Sequence, residues 1–443
     1  MQDRRSNIRM LVRSAEHLRE NIVVKHPPRA IVDLLGGFLR RNAPSLSEDE
    51  IQLRMANLAK GRAEMPDSSS PFVLSNLAAS HIPEGAIVAS DLPPHEVRER
   101  LVKLTDYVAA QVRAGEVPHI DLPDLHRANG IYDERGNVFI GHAVRRLAFN
   151  REGCKAFVRL LLALETASAN LRDGVCTTKR GLFYAHRASL PDDDSQLDTD
   201  RALSSLVNVL RVRRRALGFV AARKGSVYGR LVIRQGDEVV DLAQLGVAGG
   251  PIPRVEDGFE SVSSDAAVIV ILEKDAIASR LAQARFWESA RCIMVCAGGF
   301  PSFSTRELVR TLIDTLGIPA VVFADADPGG IQLSLTYAHG SISTALETPW
   351  LACNRLSWAG LWPSDIERHG TNATIRLSEE DDVAAHALMA HPSRAFANDR
   401  VREELAVLID RGSKFELDAL SNSPSRLVDY MQHKLTHGGL VEL

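Results

Sequence analysis

The chain has 443 residues, of which 45% are hydrophobic and 25% charged, with a formal net charge of −3 at pH 7; it is long enough for two or three domains with ordinary globular cores. No apolar run approaches the roughly 18 residues of a membrane span, and the charged start Met1-Gln2-Asp3-Arg4-Arg5 argues against a secretory leader. Five cysteines (Cys154, Cys176, Cys292, Cys296 and Cys353), odd in number and without a C-x-x-C pair, read as reduced and mostly buried thiols of a cytoplasmic protein.

Residues 1–115 read as a helical extension with an accessory or partner-binding role. Ser6 to Val23 and Pro94 to Val112 have helical periodicity, and Ala63 to Pro71 between them is a flexible connection. From Asn129 to Gly141 the text is strand, turn and strand. Three helices are then expected: Arg151 to Asp173 stopped by Gly174, Lys179 to Ser189 capped by Thr177-Thr178, and Thr199 to Leu217 after an acidic loop at Pro191 to Asp194. Two strands, Phe219 to Arg223 and Tyr228 to Arg234, follow around Lys224-Gly225-Ser226-Val227. Three helices and a hairpin in that order predict a winged helix over 116–235.

The net charge hides a segregation. From Arg201 to Arg234 there are nine basic residues and no acidic one. Such a stretch suits binding to a phosphate backbone, with Arg211, Arg214, Arg215, Arg223 and Lys224 as candidate contacts; a solvated cationic face is the plainer alternative.

Residues 236–262, rich in Gly and Pro, read as a linker. Beyond it strands alternate with helices: Ala266 to Leu272, a helix from Asp275 to Phe286, Cys292 to Ala297, a helix opening at Ser304 with the capping box Ser304-Thr305-Arg306-Glu307, then Ala320 to Ala324 with Pro328 starting the next helix. The fold class is therefore multidomain α/β, with a doubly wound parallel sheet over 263–443.

Two of these strands end on acids, Glu273-Lys274-Asp275 and Asp325-Ala326-Asp327-Pro328. If strand geometry persists, Asp325 and Asp327 point the same way and Glu273 joins them at the sheet edge. Three carboxylates repel one another unless a divalent cation neutralises them, and an oxygen-only donor set favours Mg²⁺ or Mn²⁺ over zinc. Acids that merely decorate turns are the alternative. A metal site alone leaves hydrolysis, polymerisation and phosphoryl transfer open. A second ingredient is Thr177-Thr178-Lys179-Arg180-Gly181-Leu182-Phe183-Tyr184, where Arg180 and Tyr184 share a helix face. A guanidinium there can favour phenolate and hold the phosphate it attacks. For any one of six tyrosines, a packed ring is the plain reading.

Taken in order, the text from about Asn129 to about Asp365 resembles the A subunit of type IIB DNA topoisomerases (topoisomerase VI), a family shared with the transesterase that makes meiotic double-strand breaks. The resemblance is carried by T-T-K-R-G-L-F-Y, R-R-R-A-L-G-F, K-G-S-V-Y-G-R, E-K-D-A, G-G-F-P-S-F-S-T-R, D-A-D-P-G-G-I and L-S-W-A-G-L-W. It implies a CAP-like winged helix and a Toprim domain. It makes Tyr184 the nucleophile that becomes linked to a 5′ phosphate, Arg180 a phosphate contact, and Glu273, Asp325 and Asp327 the acidic triad holding Mg²⁺. Lys224 and Gly225 become part of a DNA-facing wing. It further implies double-stranded DNA as substrate, a homodimer with a composite site, nucleoid association, and a separate GHKL-type ATPase B subunit completing a heterotetramer.

This sequence departs from the family pattern at three places: Gly181 and Ser302 stand where Asp is usual, and Gly329 where an aromatic residue or His is usual. It has no Gly-Lys dipeptide and so no Walker loop, which leaves ATP to a partner. The competing readings are a stand-alone Toprim break-maker or nuclease in recombination or plasmid defence, and a non-catalytic DNA-binding module.

Overall fold

The computed structural model describes residues 27, 29–60, 82–187, 195–221, 224–255, 258–369, 373–422, 424–438 and 440–443. The helix expected from Ser6 to Val23, the connection at Ala63 to Pro71, the acidic loop at Pro191 to Asp194, and Arg223 lie outside them. The described chain divides into two compact units. One takes the residues up to 60 with 91–122 and 144–218; the other takes 82–90, 123–143 and 219–443.

The first unit is helical. Helices α1 (Arg29–Asn42), α2 (Glu48–Ala59) and α3 (Pro94–Ala114) are followed by α4 (Cys154–Asp173), α5 (Lys179–His186) and α6 (Gln196–Leu210). In α3, Pro94 sits at the first helical position, where its missing N–H leaves nothing unsatisfied, and Val97, Leu101, Leu104, Val108 and Val112 form the buried stripe. Arg41 of α1 pairs with Glu165 of α4, so the N-terminal helices belong to the same unit as α4 to α6. Helix α6 stops earlier than its periodicity predicts, because Arg211 adopts a left-handed conformation (φ 49°) as its C-cap.

The second unit carries a seven-stranded sheet. In chain order its strands are β1 (Ser226–Gly229), β2 (Gly250–Pro251), β3 (Val268–Leu272), β4 (Cys292–Cys296), β5 (Ala320–Phe323), β6 (Leu356–Gly360) and β7 (Val441–Glu442). Their spatial order is β2-β1-β4-β3-β5-β6-β7. The four central strands are parallel; β1 pairs antiparallel with β4, β2 antiparallel with β1, and β7 antiparallel with β6, so the sheet is mixed rather than purely parallel. Both faces are apolar, as expected of central strands covered by helices. Ile269, Ile271, Ile293 and Val295 pack towards Leu308, Leu312 and Ile331 of α8 (Phe303–Leu316) and α9 (Pro328–His339), while Val270, Leu272, Met294 and Phe323 pack towards Ile277 and Leu281 of α7 (Asp275–Gln283). Cys292 and Cys296 share this second face and are fully buried, as their spacing predicts. Helix α8 opens on Ser302, whose hydroxyl accepts from Thr305 N–H, and not on the expected Ser304 box.

The expected wing and linker resolve differently. The strand predicted from Tyr228 to Arg234 is broken at Gly229 (φ 93°). Its first half, β1, joins the edge of the large sheet against β4, and its second half, Val232–Gln235, centres a three-stranded sheet with Glu238–Asp241 and Ser261–Ser263. The stretch 236–262 is thus partly stranded, and the boundaries expected near 115, 235 and 262 do not coincide with the two units. The physical reason is backbone pairing: β1 satisfies the open edge of β4. No helix of the described residues is long and apolar enough to cross a membrane.

Candidate active site

Parallel pairing of β3 with β5, Leu272 opposite Phe323, brings the two acid-bearing strand ends side by side. Asp325 N–H donates to Glu273 Oε2 at 3.1 Å. Asp325 is buried, 4% exposed, with both oxygens engaged: Oδ1 accepts from Leu417 N–H at 2.8 Å and Oδ2 lies 2.8 Å from Lys274 Nζ. Lys274 Nζ also reaches Glu416 at 2.9 Å and Asp418 at 3.0 Å. The segment carrying these two acids is held to the strand end by Ala326 N–H donating to Phe415 O at 2.9 Å. Sequence reading missed Glu416, Leu417 and Asp418. Only the chain topology brings them to the site, and the one local hint was an acid on either side of a leucine.

Asp327 behaves differently from expectation. β5 ends at Phe323, so strand geometry does not persist to 327; Asp327 instead caps α9, its Oδ1 accepting from Gly330 N–H at 2.7 Å. Among the described residues, no group of three His, Cys, Asp or Glu side chains is drawn close enough to enclose an ion. The electrostatics nevertheless fit a hard cation. Burial, reinforced by the charge of Asp325, pushes Glu273 up to about 7. Burial also raises Asp325, despite its pairing with Lys274. Burial opposes the charge on Lys274, but its hydrogen bonds to Asp325, Glu416 and Asp418 outweigh that and hold it above the ordinary lysine value. An oxygen-only acidic edge, with Asp325 buried and Glu273 and Asp327 partly buried, has the donor chemistry of a Mg²⁺ site, and these three are the residues that would hold the ion.

Tyr184 sits on α5 in the helical unit. Thr178 caps this eight-residue helix, its hydroxyl accepting from Gly181 N–H at 3.0 Å, and Lys179 reaches Asp200 of α6 at 3.1 Å. Tyr184 is 59% exposed; Arg180 Nη2 donates to its hydroxyl at 3.4 Å, and the guanidinium carbon lies 5.5 Å from the ring centroid. His186 is turned elsewhere: its Nε2 lies 2.7 Å from Thr166 Oγ1, and burial lowers its pKa. A Cβ at Gly181 would lie 3.1 Å from Thr177 Cγ2 and 3.3 Å from Thr178 Oγ1, so a side chain there needs a shift of the cap.

The basic candidates separate into two groups. Arg214 is buried, 8% exposed, and Arg215 pairs with Asp91, as does the buried Arg213. Arg211 is the half-buried cap of α6, where Arg100 donates to the neighbouring Leu210 O at 2.7 Å. This part of the cationic stretch braces the helical unit. Lys224 and Gly225 lead into β1, which pairs with β4 and β2 rather than with a hairpin partner. Gly225 (φ 99°) starts the run into β1, where a Cβ would meet Cys296 O at 2.2 Å, so only glycine fits. Lys224 is exposed beside the Gly298-Gly299 turn, and Gly299 N–H donates to Glu273 O at 2.7 Å. Lys224 therefore stands on the same sheet edge as the acids.

Residues 268–435 match the family described as the Toprim domain of the topoisomerase 6 A subunit and Spo11. The chain is 31% identical over 369 residues to "Meiotic recombination protein SPO11-2" of Oryza sativa subsp. japonica, covering 80% of this chain and 95% of that relative. This chain belongs to the topoisomerase VI A-subunit/Spo11 family. Topoisomerase relatives lie at similar distance. The A subunit of type 2 DNA topoisomerase 6 from Hyperthermus butylicus is 26% identical over 362 residues, with 76% of this chain and 93% of the relative covered. Its counterpart from Natronomonas pharaonis is 29% identical over 353 residues, covering 77% and 94%. The sheet-bearing unit is thus the Toprim part of a DNA-cleaving protein of this family.

Proposed function

We propose that the chain is the cleavage subunit of a topoisomerase VI-like enzyme, with Tyr184 as nucleophile. The observation that carries this is an accessible phenol with a guanidinium on its hydroxyl, in a family member that also brings Glu273 beside Asp325 at one sheet edge. Tyr184 Oη attacks the phosphorus of a DNA phosphodiester, the new bond joins tyrosine to the 5′ phosphate, and the 3′ oxygen leaves. Arg180 holds the phosphate against the phenol, favours loss of the phenolic proton, and stabilises the charge that builds on the phosphoryl oxygens. Mg²⁺ bound by the three acids would supply further neutralisation of that charge. Lys224, exposed on the acidic edge, is a second phosphate contact. The bond energy stays in the phosphotyrosyl ester, so the break can be resealed. Tyr184 of one protomer works with the acidic edge of its twofold mate, and strand passage draws on ATP hydrolysed by a partner B subunit.

A second reading is favoured by the 31% identity to a meiotic recombination protein: a break-making transesterase that acts without strand passage. One experiment tests both. Supercoiled DNA is incubated with the chain and Mg²⁺, with and without an ATPase B subunit, then denatured. Protein attached to 5′ ends is expected in either case. ATP-dependent relaxation supports the topoisomerase, linear product alone supports the break-maker, and cleavage without a covalent adduct rejects the tyrosine mechanism.

A further inference from the structure

A lysine ammonium has three N–H donors, and Lys274 reaches one carboxylate for each: Asp325 Oδ2 at 2.8 Å, Glu416 at 2.9 Å and Asp418 at 3.0 Å. These partners are not equivalent. Asp325 is fixed in the strand end and 5% exposed at its side chain, whereas Glu416 and Asp418 lie on one short segment and are 42% and 37% exposed. Asp325 Oδ1 is taken by Leu417 N–H, so Oδ2 is the oxygen it has to offer a metal ion, and the ammonium covers it. An incoming dication and this ammonium therefore compete for one oxygen.

We propose that Lys274 is a resident cation at the acidic edge, and that Glu416 and Asp418 form the second berth to which it moves when Asp325 takes a divalent ion. The inference rests on the metal reading of Glu273, Asp325 and Asp327 given above. It makes Lys274, Glu416 and Asp418 positioning residues for the metal site. With no divalent ion, the lysine offsets the repulsion between the buried Asp325 and the partly buried Glu273. With an ion bound, Glu416 and Asp418, which Nζ already reaches, retain the ammonium as it gives up Asp325.

The arrangement predicts effects of opposite sign, which an ion pair that only stabilises the fold does not. Removing the ammonium removes a competitor. Removing the second berth leaves the ammonium on Asp325. Full-length protein without DNA is titrated with Mn²⁺, and free ion is followed by electron paramagnetic resonance. Lys274→Met is expected to bind Mn²⁺ about tenfold tighter, and the Glu416→Gln/Asp418→Asn pair about tenfold weaker. Lys274→Arg, which keeps the charge, should stay within about twofold of wild type. Weakened or unchanged binding in Lys274→Met overturns the proposal. Where that variant does not fold, Glu416→Gln alone decides: its side chain is half-exposed, and unchanged affinity overturns the proposal. If wild-type protein shows no Mn²⁺ site that Asp325→Asn removes, the metal reading itself fails. That result differs from a site present in wild type but insensitive to Lys274 and Glu416.

Discussion

The two parts of the proposed chemistry are built on opposite plans. Tyr184 projects from an eight-residue helix, 59% exposed, with one guanidinium on its hydroxyl. Asp325 is 4% exposed, with both oxygens satisfied and two segments of chain converging on it. A nucleophile that must reach another molecule's phosphate needs access. Acids that must not repel each other need a rigid, compensated frame, because uncompensated charge at a buried edge is strongly unfavourable. Substitutions in the first region should therefore separate activity from stability, and those in the second should not.

The sharpest contrast comes from Tyr184→Phe. Covalent adduct, read on a denaturing gel, should fall by more than about a thousandfold, while unfolding free energy stays within about 0.5 kcal/mol of wild type. Asp325→Ala should lose cleavage and also destabilise the protein by about 2–4 kcal/mol, since Leu417 N–H and Lys274 lose their partner; denaturant unfolding at wild-type stability would break the comparison. Arg180→Ala is expected to slow adduct formation about tenfold to a hundredfold with no change in melting.

Glu273 gives a pH test. Its pKa is raised from 4.5 to about 7 by burial and the charge of Asp325, so in that window the folded protein holds a proton that the unfolded chain has released. The contribution of Glu273 to stability should be fully present below pH 4.5, fall as pH rises through about 7, and be gone above. Melting curves in Glu273→Gln should lack this slope. The smallest effect is at the tyrosine helix itself: Thr178→Ala removes its cap, and about 1 kcal/mol of stability should follow in chemical unfolding.

The acidic edge was readable because short β-branched runs ending in Glu273 and Asp325 carry both strand and site in one stretch of text. The same text could not show that β5 ends two residues before Asp325, which turns Asp327 into a helix cap. Tyr184 and Arg180 were readable as an i, i+4 pair, and the structure keeps them in contact. Arg214 and Arg215 show what charge counting lacks. Burial and pairing with Asp91 depend on a residue more than a hundred positions away. The pairing of Ser226 to Gly229 was illegible for a related reason: the segment has strand character either way, and only the open edge of β4 decides which sheet it joins.

The backbone N–H of Leu417 has a consequence for the timing of biogenesis. A chain emerging from the ribosome exposes Glu273, Asp325 and Asp327 long before residues 415–418 arrive to hold Asp325 and receive Lys274. Until that late clasp closes, the nascent polypeptide carries its acids without the brace that aligns them. The acidic edge thus cannot be completed until the stretch from Phe415 to Asp418 has been translated.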